Sequence, residues 1–396
     1  LSENQEAPVK DIGLMNYDIP EELQQLQELT RNYVMKELRP HEMEVDRTNE
    51  MPPELRTRLR RKSLEVGLFG YNLPVEAGGP GLPWFGQALL REQLGHVSQA
   101  MADTVGRPPK ALLACQGEQR KKYLEPVLRA EMTWAFALTE PEAGSDAGAM
   151  KTKATRKGDG WLLNGTKHFI SHGDFADVVI VIAKTAEDNL PTAFLVEHGS
   201  PGFTTGRVHP KMGWHGYSVA ELRFEDAWVP DGQILGKLGD GLRLGLAQIG
   251  EARLGVASHC VGMAQRAFDY VLEHARLRKQ FGQPLAAFQG LQWMLAEMAL
   301  DIEQSRALLY ATARTMDSSP NTGAVRKEIS MAKLSCSEMV GRVADKAVQI
   351  MGGAGYMAES PIEMIYRDAR AFRIGEGTSE IQKNQIARSL LGRDLA

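Results

Sequence analysis

Apolar residues recur every three or four positions in the first third of the chain. Leu23, Leu26, Leu29, Tyr33 and Val34 follow Pro20-Glu21-Glu22, and this spacing predicts a helix opened by proline. The cluster Ala77-Gly78-Gly79-Pro80-Gly81 interrupts the pattern, which resumes over 84–97 and 117–130. From 131 to about 235 the character changes. The runs WLLNGTKHFI, DVVIVIAK, TAFLVEH and AELRFEDAWV read as strands between Gly/Pro turns, and Asn164-Gly165 in the first predicts a hairpin. Four or more such strands predict an antiparallel sheet or small barrel. Helical spacing then returns from 240 to 392. One helix runs through Leu254, Ala257, Val261, Ala264, Phe268 and Val271, and a second through Leu291, Met294, Leu295, Met298, Ile302 and Leu309. A third runs through Ile329, Ala332, Cys336, Met339, Val343, Ala347 and Ile350 and stops at Gly352-Gly353. Long helices with narrow apolar stripes pack as bundles. The expectation is an α+β chain in three segments: a helical domain over 1–130, a β domain over 131–240 and a helical bundle over 241–396.

A chain of 396 residues is longer than one core normally fills, which supports this division. Net charge is -4, without the basic excess that a nucleic-acid surface needs. The basic run Arg56, Arg58, Arg60, Arg61, Lys62 alternates with Leu55, Leu59 and Leu64 and reads as the solvated face of a helix. Cys115, Cys260 and Cys336 are far apart, so neither a disulfide framework nor a thiolate metal site is expected. The longest aliphatic run, Val178 to Ala183, is too short to cross a bilayer, and no stable membrane insertion is expected. The N-terminus begins at Leu1, is polar and mixed in charge, and resembles neither a signal peptide nor an intact transit peptide.

Most candidate chemistry is weak. LGDGLRLG at 238–245 has the wrong glycine spacing for a dinucleotide loop. MGGAG at 351–355 reads as a helix end and turn. His168, His172, His209 and His215 form no recognised ligand spacing, so no metal is expected. Ser145 is not in a nucleophile elbow. Two polar turns stand out: LTEPEAGSD at 138–146, at the entry to the β segment, and GEGTSE at 375–380. In the second, Glu376 lies between glycines, where the backbone can approach a ligand closely.

At these turns the chain closely resembles the acyl-CoA dehydrogenase family. The resemblance spans about residues 20 to 392 and rests on five blocks in family order: FALTEPEAGSDAGAMKTKA, NGTKHFISHGDFAD, RKQFGQPLAAFQ, AVQIMGGAGY and YRDARAFRIGEGTSEIQ. It implies an N-terminal all-α domain, a middle β-sheet or barrel domain and a C-terminal four-helix bundle. It also implies noncovalent FAD, an acyl-CoA substrate, a homotetramer arranged as a dimer of dimers, and an electron-transfer flavoprotein as acceptor. The implied compartment is the cytoplasm in a bacterium or the mitochondrial matrix in a eukaryote.

The resemblance also assigns roles. Phe136, Leu138, Thr139, Gly144 and Ser145 would line one side of the flavin. Phe169, Ile170 and Ser171 resemble the family's Trp-Ile-Thr/Ser element against the isoalloxazine, with Phe in place of Trp and Ser171 near flavin N5. Arg278 and Phe281, three apart on a helix and so on one face, would reach the FAD of a neighbouring subunit, together with Gln289, Gln349 and Gly353. Thr378 and Glu380 would touch the ADP portion. Ser145, Arg253, Gly375 and Glu376 would contact the substrate. Glu376 matches the family's commonest catalytic base. At the alternative base position, just before Arg253, stands Ala252, with Glu251 offset by one; Gly250 replaces an aspartate that contacts CoA in many relatives.

In such a site the base takes the α-proton and the flavin takes the β-hydrogen as hydride. The thioester carbonyl lies between the base's own N–H and a ribityl hydroxyl. Gly375 stands where many straight-chain relatives carry Tyr, so branched, cyclic or bulky acyl groups are expected. A charged acyl end is not expected, since no arginine aligns with the one used by glutaryl-specific members, although Arg107 in VGRPPK lies in the neighbouring stretch. The same fold also serves acyl-CoA oxidases, with O2 as acceptor, and could serve a non-catalytic assembly protein. Reoxidation in air distinguishes the first, and a colourless protein the second.

Overall fold

A computed structural model describes Met15, 17–321 and 323–392; the polar N-terminal stretch lies outside the described residues. Helices α1 (Glu21–Tyr33) and α2 (Arg39–Thr48) are joined by a wide π turn, Val34–Leu38. Pro40 follows this turn and has no N–H to donate, so the ladder loosens before it. Pro126 accompanies the same feature, a π turn at Arg120–Leu124. Helices α3 (Pro53–Glu65), α4 (Trp84–Leu94), α5 (Gln99–Asp103) and α6 (Glu125–Leu128) complete this part. The N-terminus of α4 is capped from a distance, because the Asp317 carboxylate accepts from the N–H groups of Trp84 and Phe85 at 2.6 and 3.1 Å.

One sheet follows: β1 (Trp134–Ala137), β2 (Lys153–Lys157), β3 (Gly160–Ser171), β4 (Val178–Thr185), β5 (Pro191–Glu197), β6 (Phe203–Val208), β7 (Val219–Pro230) and β8 (Ile234–Leu235). The order is β6-β7-β3-β2-β4-β5-β8, with β1 also on β4. The sheet is mixed rather than antiparallel, since β1 and β2 both run parallel to β4. Residues 178–183 of β4 are all buried, which is why this strand reads as continuous aliphatic sequence without alternation.

Two expectations fail here. Asn164-Gly165 is not a hairpin. It lies inside β3, where the register against β7 shifts between Leu163 and Gly165. The Asn164 and Asp226 side chains and the Asp226 N–H close this bulge with hydrogen bonds of 2.9 Å. The turn between β2 and β3 falls at Gly158-Asp159 instead. The basic run on α3 is only partly solvated. Arg58 and Arg61 are exposed, but Arg60 is buried over the Trp134 ring at 4.6 Å and Arg56 lies 3.7 Å over Phe175. One face of α3 is thus a cationic seam against the sheet.

The C-terminal part holds α7 (Gly241–Leu277), α8 (Gln289–Asp317), α9 (Arg326–Met351), α10 (Gly353–Tyr356), α11 (Pro361–Ala371) and α12 (Ser379–Leu391). The stripes read from the sequence form its core: Val261, Met298, Ile302, Leu309, Ala332, Met339 and Val343 are buried together. Buried ion pairs bolt this bundle to the N-terminal helices. Arg266 on α7 grips Glu42 on α2 with two bonds of 2.8 and 2.6 Å, and Arg306 on α8 reaches Glu92 on α4 at 2.9 Å. Removing one partner of such a pair costs about 3–5 kcal/mol, so these contacts hold the helices around the cleft in one arrangement.

Candidate active site

Glu376 lies in the turn between α11 and α12 with φ +55, and Gly377 follows at +89. The turn is held through its carbonyls. Arg253 on α7 donates to the Glu376 carbonyl at 3.0 Å, Lys333 on α9 donates to the Gly377 carbonyl at 2.8 Å, and Gln382 on α12 reaches both at 3.3 and 2.9 Å. With the Glu376 and Gly377 carbonyls held by the bundle, the Glu376 N–H is left without a hydrogen-bond partner among the described residues, and so is its carboxylate. Burial raises the carboxyl above its ordinary pKa, against the opposing pull of Arg107, Arg253 and Lys333. Lys333 is itself fully buried, and desolvation brings its ammonium down to about 8. Glu251, the nearest rival carboxylate on α7, is paired with Lys110 at 3.0 Å.

The facing wall comes from the sheet. Buried Lys167 on β3 donates to the Leu138 carbonyl at 2.9 Å and to Glu140 at 2.8 Å, and the His168 N–H donates to the Thr139 carbonyl at 2.8 Å. Glu140 also accepts from the Thr152 N–H at 3.0 Å. Burial would raise the Glu140 carboxyl, but Lys167 and these donors hold it below its ordinary value. Residues 138–140 are thereby stitched onto β3. Beyond them Gly144 and Ser145 are exposed, and a Cβ on Gly144 would meet nothing within 4 Å.

A second irregularity in β3, between Lys167 and Ile170, re-aims Phe169. Its φ of +58 is an outlier for an aromatic residue, and the ring is 59% exposed, stacked on His168 at 3.9 Å. Ile170 next to it is buried. The Ser171 side chain lies beside the Tyr217 hydroxyl and favours its ionised form, while the Glu376 charge opposes it. Phe169 offers an exposed aromatic face, Gly144-Ser145 an open turn and Glu376 a partnerless N–H, groups that fit a planar, polar cofactor such as a flavin.

Other assigned residues lie elsewhere. Arg278 and Phe281 do not share a helix face. α7 ends at Leu277, Arg278 is extended, and Phe281 is at the tip of a small hairpin between β9 (Lys279–Gln280) and β10 (Gln283–Pro284), 93% exposed. Gly282, with φ +80, turns that hairpin and ends the helical pattern. Gln289 opens α8, and Gln349 and Gly353 flank the end of α9; all are exposed. Arg278 lies 25 residues beyond Arg253, about 37 Å along the α7 axis at 1.5 Å per residue. Thr378 caps α12 by accepting from the Ile381 N–H at 3.3 Å, and Glu380 lies exposed in its first turn. Among the described residues, no group of three or more His, Cys, Asp or Glu side chains could hold a metal ion.

Comparison with known proteins decides the family. Three domain models match in order: acyl-CoA dehydrogenase N-terminal domain over 20–131, middle domain over 135–227 and C-terminal domain over 239–391. This chain belongs to the acyl-CoA dehydrogenase family. It is similar to the probable acyl-CoA dehydrogenase YngJ of Bacillus subtilis, 38% identical over 387 residues that cover 95% of this chain and 100% of that protein. It is 37% identical to CarC, a subunit of the caffeyl-CoA reductase-Etf complex of Acetobacterium woodii, over 94% of this chain and 98% of that one. The acyl-CoA dehydrogenase complexed with FAD from Bacillus anthracis superposes with a TM-score of 0.87 at 32% identity, covering 96% of this chain and 68% of that one. As an acyl-CoA dehydrogenase the chain has the three-domain fold of the family, uses FAD and is an oxidoreductase acting on CH–CH bonds. No helix among the described residues is long and apolar enough to cross a membrane.

Four residues of this site escaped the sequence reading. Glu140 and Lys167 were inside quoted motifs without a role, and the only signal was a lysine inside a predicted strand. Lys333 and Tyr217 carry no local signal, because only the packing of α9 and the sheet against the 375–378 turn gives them their positions.

Proposed function

We propose that this enzyme oxidises an acyl-CoA thioester to the trans-2-enoyl-CoA, with Glu376 as base, and passes electrons to an electron-transfer flavoprotein. The observation that carries this reading is the Glu376 turn: its carbonyls are held by Arg253, Lys333 and Gln382, while its N–H and carboxylate are left for substrate. FAD, when bound, supplies the acceptor for the β-hydrogen, which leaves as hydride. The Glu376 carboxylate takes the α-proton, and its raised pKa brings it closer to the working pH than a solvated carboxylate. Its N–H receives the thioester oxygen as negative charge develops there, and one such donor is worth about 3–4 kcal/mol. Ser171, beside the Tyr217 hydroxyl, the Phe169 ring and residues 136–145 border the flavin. Gly375 leaves space beside the reacting carbons for a branched or bulky acyl group.

Arg278, Phe281, Gln289, Gln349 and Gly353 serve the FAD of a neighbouring subunit in a dimer of dimers, while Thr378 and Glu380 lie toward the ADP portion. Their exposure and the length of α7 between them and the base support this reading. The test is simple: the purified protein should be yellow with about one FAD per chain. An acyl-CoA should bleach it under anaerobic conditions, and a transfer flavoprotein should reoxidise it faster than air. A colourless protein, FMN on extraction, or no bleaching by any acyl-CoA would overturn the proposal.

A further inference from the structure

The strand that carries Phe169 and Ser171 ends in a strained turn. β3 stops at Ser171, and His172 after it has φ +60, as Phe169 has +58. Two left-handed residues so close together, neither of them glycine, need support from their surroundings. Backbone bonds supply part of it. The His172 N–H donates to the Ser218 carbonyl at 3.1 Å, and the His172 carbonyl accepts from the N–H groups of Phe175 and Ala176 at 3.1 and 2.9 Å. These bonds stay within the middle domain, but the His172 side chain leaves it. Its ring packs edge-on against Tyr217 at 4.6 Å and beside Phe175 at 5.0 Å, and Nε2 lies 3.0 Å from Oδ2 of Asp103, the last residue of α5. His172 is the one basic side chain in contact with the Asp103 carboxylate among the described residues. Half-burial would raise that carboxyl, but His172, with Arg60 on α3 and Arg91 on α4 behind it, holds it below its ordinary value. Burial raises the Tyr217 hydroxyl, and the charges of Asp103 and Glu376 push it the same way. Asp103 is thus one side-chain contact and one peptide bond away from Ser171. A pair that only joined the domains could act anywhere along their seam, as Arg60 does over Trp134. This one grips the residue whose backbone aims Ser171.

We infer that His172 and Asp103 are positioning residues: they pin the turn after β3 to the N-terminal helices and so hold the Ser171 hydroxyl where it can hydrogen-bond the flavin. The inference rests on the dehydrogenase reading above, which puts Ser171 near flavin N5. A hydrogen bond weakens steeply when it is bent or stretched. Slack in the turn would weaken the bond from Ser171, and a donor lost at N5 makes the flavin a poorer electron acceptor. Neither His172 nor Asp103 exchanges a proton or electrons with the substrate; both act through Ser171.

The experiment breaks the contact from each side. Asp103→Asn keeps the side chain's size and removes its charge. His172→Asn removes the imidazole and puts in a residue that tolerates left-handed backbone. The midpoint potential and visible spectrum of the FAD-loaded proteins are measured, with FAD content and thermal unfolding alongside. Each variant should favour the oxidised flavin by about tenfold over the wild type, which lowers the potential by about 30 mV for a two-electron couple, and should shift the visible bands. The deciding control is Ser171→Ala. In that background Asp103→Asn should move the potential no further, because the group it positions is gone. Unchanged potentials, or an equal shift with and without the Ser171 hydroxyl, overturn the inference. So does a variant that loses FAD or its cooperative unfolding, since the pair would then be a structural clamp. None of these measurements uses acyl-CoA, so their failure leaves the dehydrogenase reading standing. A flavin-replete wild type that no acyl-CoA reduces would overturn that reading alone.

Discussion

The two glycines beside Glu376 meet different demands. Gly377 has φ +89, and a Cβ there would lie 2.9 Å from Gln382 Nε2 and 3.0 Å from Arg253 Nη2. Those two side chains hold the carbonyls of the turn. Gly375 has an ordinary φ, and its Cβ would meet only the Ala371 carbonyl oxygen at 3.6 Å. Gly377→Ala therefore carries about 1–2 kcal/mol for a left-handed L-residue. Displacing one donor from a part-buried carbonyl adds roughly 1 kcal/mol. If the turn relieves this total of about 2–3 kcal/mol by shifting, the loss appears in catalysis, as a roughly 30- to 150-fold slower chemical step. Gly375→Ala should change the rate by less than about threefold, since an unstrained substitution in open space is worth about 0.5 kcal/mol. The assay is anaerobic stopped-flow bleaching of the flavin at saturating acyl-CoA, with thermal unfolding of both variants alongside. If Gly377→Ala reduces its flavin at the wild-type rate, or both alanines cost the same, the account of how the base is positioned is wrong.

Three further outcomes follow from the same turn. The base works deprotonated, so flavin reduction should fall as pH drops through a pKa above the ordinary carboxylate range, and removing the Arg107 charge should move that limb higher still; a limb at an unperturbed carboxylate value contradicts the burial argument. A raised folded-state pKa also makes the charged carboxylate a stability cost that builds as pH rises from the unfolded value through the folded one, so Glu376→Gln should raise Tm at neutral pH and lose that advantage on acidification. Gly375→Tyr should lower kcat/KM for a branched acyl-CoA more than for a straight one of similar length, by about 1–3 kcal/mol of differential binding; equal losses would assign Gly375 to the backbone rather than the pocket.

Periodicity made the architecture legible because each apolar stripe is a packing surface: the spacing from Ile329 to Ile350 is the face of α9 that the bundle buries. The glycines beside Glu376 made its turn stand out, but only the family resemblance gave that residue the role of base. Local patterns misled where a long-range contact overrides a short-range preference. Asn164-Gly165 has hairpin composition, but pairing with β7 and the Asn164–Asp226 bonds continue the strand through it. The three-residue spacing of Arg278 and Phe281 suggested a helix face, yet Gly282 permits a hairpin that the spacing alone cannot reveal. Lys333, Lys167 and Tyr217 were invisible for a related reason. Each acts on a segment far away in the chain, and a buried lysine looks like any other until its partner is known.

The central claim is that the Glu376 carboxylate removes the substrate proton, and Glu376→Gln tests it most directly. Gln keeps the shape and the backbone N–H but cannot accept the proton. With FAD content and acyl-CoA binding measured as controls, the account predicts a normal yellow protein that binds substrate. Its anaerobic flavin bleaching should be slower by about 10²- to 10⁴-fold or more, since base and positioning act as a unit. Bleaching near the wild-type rate would place the base elsewhere and contradict the account.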